Sequence, residues 1–158
     1  MDKKYYKRYI ISINYVNPCQ NKGMNIIKHF IIYGFCGLLI ETLWTGFTSA
    51  IRGDKNLKCN TYLWMFFIYG LGVFFEPVHE LIRPIIWVYR GLIWAALIFA
   101  VEFVTGFALE RAIGSCPWDY GGTSALSIKG YIRLDFLPAW FCLGLGFEYL
   151  HDFIVWFV

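Results

Sequence analysis

Four long apolar runs are the feature that most limits how this chain can fold. They cover residues 29–51, 62–82, 91–109 and 136–158. As a helix, each run is long enough to cross a hydrocarbon core of about 30 Å. Hydrophobic residues make up 58% of the 158 residues, more than a soluble domain of this length can bury. The sequence therefore predicts an all-α integral membrane protein, a bundle of about four transmembrane helices.

Polar segments precede and separate the apolar runs. Residues 1–24 form a basic tail, residues 52–60 a short charged loop, and residues 114–135 a longer polar outer loop. Because basic residues beside a span favour the cytoplasmic side, we expect a multi-pass protein of the plasma membrane with both termini in the cytoplasm. We expect the tail to contact the lipid bilayer and not nucleic acid. Residues 25–158 are then one membrane domain.

The five cysteines form neither a CxxC pair nor an even set, so no zinc site is indicated. Cys59 and Cys116 fall in two loops that are predicted on the same side of the membrane. A disulfide could join them if that side is oxidising. The sequence leaves this pairing open.

Each predicted span carries a glutamate near its middle: Glu41, Glu76, Glu102 and Glu148. A charge inside a span costs about 2.5 to 3.5 kcal/mol, so each of these groups requires a partner or a function. The second and fourth spans add a histidine three residues later, His79 and His151. Residues with this spacing share one face of a helix.

These six residues allow three interpretations. Glu, Glu-x-x-His, Glu, Glu-x-x-His is the ligand set of four-helix di-iron and di-manganese carboxylate proteins, so all six are candidate metal ligands. They could instead line a path for protons or substrate. In the third interpretation the glutamates hold the helices together, either protonated or paired with Arg83, Arg90, Tyr69 or tryptophan N–H groups.

Two smaller patterns predict local structure. Glu76, Glu80 and Arg83 lie on one stripe of the second span, where they could form a ladder of ion pairs. In the outer loop, Trp118-Asp119-Tyr120 precedes two glycines, and the aspartate is expected to accept backbone N–H groups in a turn. The sequence contains no P-loop, GxGxxG or GxSxG motif, so nucleotide hydrolysis by this chain is not expected.

Several motifs resemble a known family. They are Leu-Trp-Met-Phe-Phe-Ile-Tyr-Gly at 63–70, Glu-x-x-Thr-Gly at 102–106, Cys-Pro-Trp-Asp-Tyr at 116–120, and Gly-Tyr-Ile at 130–132 leading to Trp140. The chain from about residue 30 onward resembles the putative ABC-transporter type IV family, also called the CmpB permease-like family, and is similar to the vertebrate transmembrane protein 229 group. The positions that match the family pattern are Glu41, Tyr69, Gly70, Glu102, Trp118, Asp119, Tyr120, Gly130 and Trp140.

The resemblance implies a permease-like or accessory component of a transport system, acting as a homo-oligomer or with a separate ATPase subunit. One alternative is an intramembrane di-metal carboxylate enzyme that uses two iron or two manganese ions. The other is a structural or lipid-interacting membrane protein without catalysis. No catalytic residue can be assigned from the sequence, which favours a role other than that of an enzyme.

Overall fold

The computed structural model describes residues 21–122 and 124–157, and most of them are helical. The helices are α1 (Asn21–Ile51), α2 (Leu63–Gly70), α3 (Glu76–Ile82), α4 (Trp87–Ile113) and α5 (Leu137–Phe157). Short 3-10 helices lie at Leu71–Phe75 and Leu134–Phe136. Two strands, β1 (Ser127–Ile128) and β2 (Ile132–Arg133), pair antiparallel with Ser127 opposite Arg133.

Three segments are long and apolar enough to cross a membrane: Asn25–Ile51, Leu63–Ile82 and Trp87–Ile113. The predicted fold class is therefore confirmed, and the chain is a multi-pass helical membrane protein. Helix α5 has 21 residues, enough to cross, but Glu148, His151 and Asp152 make it less apolar than the other three segments. That α5 forms a fourth span stays a prediction.

Two helices, α1 and α4, extend beyond their predicted bounds. Helix α1 already includes residues 21–24 of the predicted tail, whereas residues 1–20 lie outside the described residues. Helix α4 extends beyond the apolar run 91–109 in both directions. The helix ends at Ile113, and the next residue, Gly114, has a φ of 83° and donates its N–H to the Glu110 carbonyl at 3.0 Å. A glycine in this left-handed conformation is a common helix stop.

The second predicted span is a broken helix. Helix α2 ends at Gly70, a 3-10 segment follows, and α3 begins at Glu76. Pro77 lies in the first turn of α3, where its missing N–H leaves no hydrogen bond unmade. Proline thus fixes the point at which the α-helix resumes, and α3 ends at Ile82, before Arg83 and Pro84.

The helices pack as two close pairs, α1 with α2 and α4 with α5. Glycines allow the close approach in both pairs. A Cβ atom at Gly37 would overlap the ring of Tyr69, and one at Gly144 would overlap Trp94. Small residues at helix crossings are typical of membrane bundles, in which packing replaces the hydrophobic effect between helices.

The core lies between the two pairs, and large apolar side chains cover the outside. Tyr33, Val73 and Ile154 are buried together against Phe147. The most exposed apolar side chains include Leu63, Leu81 and Trp156, each more than 70% exposed. In a membrane protein such side chains contact lipid.

The outer loop is ordered by hydrogen bonds around Asp119. Its Oδ1 accepts the Gly121 N–H at 2.7 Å, which confirms the predicted turn. The Tyr120 N–H donates to the Gly130 carbonyl at 2.8 Å, and the Trp118 indole N–H donates to the Tyr131 carbonyl at 3.1 Å. These contacts place the buried Trp118 side chain against the helices.

Arg133 binds neighbouring residues at the end of the outer loop, and the two loop cysteines stay unpaired. The Arg133 guanidinium lies 2.5 Å from Asp135 and holds the pKa of that carboxyl below its usual value. It also lies 4.5 Å from the centre of the Phe136 ring, a cation–π contact. Cys59 and Cys116 are both free thiols, so the pairing left open by the sequence is not formed in this structure.

Candidate functional site

Polar side chains from α1, α3, α4 and α5 meet at one end of the bundle. We call this group the histidine cluster, and its members are His29, Tyr33, Glu76, His79, Glu80, Arg83, Arg90, Trp94, Glu148, His151 and Asp152. It contains four of the six candidate residues predicted from the sequence.

Two residues of α4 bind Glu148 of α5. Glu148 is 6% exposed, and its carboxylate lies 2.9 Å from the Arg90 guanidinium. The Trp94 indole N–H, which is fully buried, donates to the same carboxylate at 2.8 Å. The sequence interpretation named arginine and tryptophan as partners of this kind. A charged pair with an added hydrogen bond is the arrangement that makes a buried carboxylate tolerable.

Glu76 connects three helices through histidines. Its Oε1 lies 2.7 Å from Nδ1 of His29 in α1 and 3.7 Å from Nδ1 of His151 in α5. The same His151 nitrogen is 2.9 Å from the Tyr33 hydroxyl. These groups form a continuous chain of polar contacts across the core, and such chains are stabilising when every member has a partner.

Arg83 binds the two most exposed acids of the histidine cluster, Glu80 and Asp152. Its guanidinium lies 2.6 Å from Asp152 and 3.0 Å from Glu80. Both acids raise the pKa of Arg83, the hydrogen bond to Asp152 most of all, so the guanidinium stays charged. The Glu80–Arg83 pair of the predicted ladder is thus present, whereas Glu76 pairs with His29 instead.

The structure divides the six predicted metal ligands into two groups. Glu102 lies eight residues beyond Trp94 on α4, about 12 Å along the helix, and so stands apart from the histidine cluster. Within that cluster, ligand atoms of His79, Glu80 and His151 lie within 4.8 Å of one another. However, the Glu80 carboxylate already binds Arg83. The six residues therefore do not lie around one centre, and metal binding, one of the three interpretations of the sequence pattern, stays a prediction.

A second group lies farther along the bundle, toward the outer loop. We call it the glutamate–aromatic cluster: Glu41, Tyr69, Glu102, Tyr120 and Trp140. The Trp140 indole N–H donates to Oε2 of Glu102 at 3.1 Å. The Glu41 carboxyl faces the hydroxyl of Tyr69, and its Oε2 is buried without a hydrogen-bond partner among residues 25–122 and 124–157. Tyr69 and Tyr120 each lie close enough to both glutamates to interact with them electrostatically.

A cavity of about 390 Å³ extends between the two clusters. On α4 it reaches from Trp94 to Glu102, about 12 Å along the helix. Its wall is mostly apolar and aromatic, and the polar groups on it include Glu102 and the hydroxyl-bearing residues Tyr33 and Tyr69. A cavity of a few hundred Å³ with an apolar wall and few polar groups is typical of a binding site for a small molecule.

The family-motif positions concentrate around this cavity and its outer end. Tyr69, Glu102, Trp118 and Trp140 line the cavity. Asp119, Tyr120 and Gly130 order the loop that carries Trp118; a Cβ atom at Gly130, whose φ is 75°, would overlap the Asp119 carboxylate. Gly70 lies in the α1–α2 contact, where a Cβ atom would come within 2.6 Å of the Phe30 ring.

Sequence reasoning missed four residues of the histidine cluster: His29, Tyr33, Trp94 and Asp152. Each forms its contact with a residue of another helix, at least 47 positions away in sequence. A weak signal was present, since His29 and Tyr33 are four residues apart, as are Arg90 and Trp94. Each of these pairs therefore shares a helical face.

Comparison with known proteins gives one match. The family described as Putative ABC-transporter type IV matches residues 28–158, most of the chain. No curated protein and no solved structure matches it. The similarity to the transmembrane protein 229 group is therefore not confirmed.

Proposed function

The chain belongs to the putative ABC-transporter type IV family, and from this premise we propose that it is the permease-like component of a transport system. The observation that carries the proposal is the cavity between the two helix pairs. It lies inside the membrane-spanning region and has a polar cluster toward each end. In this proposal the cavity is the compartment that the substrate occupies during passage.

The two clusters differ in a way that suits this role. In the histidine cluster, Glu148 is held by Arg90, and Asp152 is held by Arg83. Charged pairs thus connect α5 with α4 and with Arg83 at the end of α3, and in this proposal this end of the bundle stays closed. The outer end is closed by the loop that carries Trp118, which rests on hydrogen bonds between loop residues. Loops of this kind open more readily than packed helices.

Transport of the ABC type also requires ATP hydrolysis. The sequence has no P-loop, so we propose a separate ATPase subunit as partner, in the plasma membrane with both termini of this chain on the cytoplasmic side. Purification of the intact complex from native membranes should yield ATPase activity in the fraction that contains this chain. Recovery of monomers alone, without ATPase activity, would contradict this part of the proposal.

Cysteine labelling tests whether the cavity can be reached from water. Cys36 of α1 lies on the cavity wall, Cys142 of α5 is exposed on the outer surface of the bundle, and Cys59 is exposed in the first loop. Three variants, each keeping one of these cysteines, are reconstituted in liposomes and treated with a charged methanethiosulfonate reagent on both sides.

A substrate compartment predicts an intermediate rate at Cys36. Cys59 should react fastest, because it lies in a polar loop. Cys142 should hardly react, because a charged reagent does not enter the lipid that faces it. Cys36 should react at least tenfold faster than Cys142. If Cys36 and Cys142 were equally inert, the cavity would be a packing void with no aqueous access, and the proposal would be refuted.

A further inference from the structure

Glu41 and Glu102 differ from Glu76 and Glu148 in having no positive partner among residues 25–122 and 124–157. Glu76 lies beside His29 and His151, and Glu148 lies beside Arg90. Over residues 25–122 and 124–157, no lysine, arginine or histidine lies within ion-pair distance of Glu41 or Glu102. An acid in this position either keeps a proton or requires a positive charge from elsewhere.

Glu102 is directed toward the space where such a charge could come from. It lies on the cavity wall, and its one described hydrogen bond is the N–H of Trp140. The rings of Tyr69, Trp118 and Trp140 line the cavity around it. Aromatic faces attract cations, most strongly where water is excluded, and several rings around one acid form the usual recognition site for an ammonium-type group.

We propose that the cavity binds a lipophilic organic cation, with the positive charge at Glu102 and the apolar body along the aromatic wall toward Trp94. The inference rests on the cavity being the substrate compartment proposed above, and it names the class of substrate. A neutral ligand brings no counter-charge, so Glu102 would keep its proton beside it, and an anion would be repelled by the ionised carboxylate. The arginines that could attract an anion, Arg83 and Arg90, are already paired with acids.

The site also limits the size of the ligand. A volume of about 390 Å³ is at the small end of the range for drug-sized ligands. The apolar groups of the ligand fit along the wall between Trp94 and Glu102, because the lining there is apolar and includes Gly144 and Ile98. The expected ligands are compact cations with aromatic or aliphatic groups around one charge.

A matched pair of probes separates charge from hydrophobicity. Tetraphenylphosphonium and tetraphenylborate have nearly the same size and shape and opposite charge. Their binding to the purified full chain in detergent is measured by equilibrium dialysis, with protein-free micelles as the blank. We expect saturable binding of the phosphonium, at least tenfold tighter than that of the borate.

Two variants locate the charge. Glu102→Gln should weaken phosphonium binding at least tenfold and should reduce the preference over the borate. Glu110→Gln is the control, because it removes an acid two turns farther along the same helix, outside the cavity, and its amide oxygen can still accept the Tyr131 hydroxyl. This control should bind the phosphonium as the unchanged chain does.

Three results would overturn the inference. They are equal binding of the two probes, no saturable binding of either probe, and an unchanged phosphonium affinity in Glu102→Gln. The comparison of the two probes uses the unchanged chain, so it holds even if a variant fails to fold. Failure here is distinct from failure of the compartment proposal, since Cys36 labelling can show aqueous access whatever the cavity binds. If both proposals hold, bound phosphonium should slow the labelling of Cys36.

Discussion

The contact between Arg90 and Glu148 gives the most direct test of how the helices are held together. At 2.9 Å and an effective dielectric constant of about 20, the Coulomb attraction is about 6 kcal/mol before desolvation is subtracted. Removing one member of a buried pair typically costs about 3 to 5 kcal/mol, because the other charge stays buried without a partner. The Arg90 side chain is 23% exposed, so we expect Arg90→Met to lower the free energy of unfolding by about 3 kcal/mol, the low end of that range.

The double variant Arg90→Met, Glu148→Gln isolates this effect. The glutamine removes the unpaired charge and still offers an oxygen to the Trp94 N–H. Arg90→Met also loses a hydrogen bond to the Arg83 carbonyl, but this loss is the same in the single and the double variant. We therefore expect the double variant to recover about 1 to 2 kcal/mol relative to Arg90→Met alone, because it no longer buries an unpaired charge.

Unfolding of the reconstituted protein in bicelles by sodium dodecyl sulfate, followed by tryptophan fluorescence, measures these differences. The single variants, the double variant and the unchanged chain form one cycle. A double variant that is as unstable as Arg90→Met, or less stable, would show that the contact does not act by neutralising Glu148. The ion-pair account of the histidine cluster would then fail.

Two further predictions concern packing and the outer loop. Gly144→Ala should destabilise the bundle by about 1 to 3 kcal/mol, because the added Cβ would overlap Trp94. In the control Gly146→Ala, on the same helix, the added Cβ meets nothing within 4 Å, so this variant should be neutral or slightly stabilising. Thermal unfolding in detergent compares the two variants. Asp119→Ala should cost about 1 kcal/mol by removing the acceptor of the Gly121 N–H, which faster cleavage of the outer loop by protease would report. Asp119→Asn keeps an acceptor oxygen and should behave as the unchanged chain, so equal cleavage of both variants would contradict the role given to this turn.

Local patterns in the sequence predict local structure well. The apolar runs predict the membrane segments, because the length of a helix across lipid is set by the thickness of the hydrocarbon core. The prediction that Asp119 accepts a backbone N–H in a turn is confirmed, because the side chain reaches a group only two residues away. The end of α3 before Pro84 follows from the restriction that proline places on the preceding residue.

The arrangement of the site could not be predicted in the same way. A glutamate in every span suggests a single polar centre, yet Glu41 and Glu102 lie apart from the histidine cluster. Their depth depends on how the helices shift along one another, which is set by side-chain volumes at contacts such as Gly37 with Tyr69. The partner of Glu76 was also unpredictable, since Arg83 is near in sequence and His29 is near only in space.

The polar face of α5 has a consequence for how the protein is made. Ribosomes release the chain from its N-terminal end, so Arg83 and Arg90 emerge before Glu148 and Asp152. On its own, α5 would be a poor substrate for the insertion machinery, since several of its polar groups would meet lipid unpaired. With the earlier helices already present, its acids meet arginines in place. We therefore expect α5 to insert after the earlier helices, and a chain interrupted before α5 to leave Arg83 without Asp152 and Arg90 without Glu148.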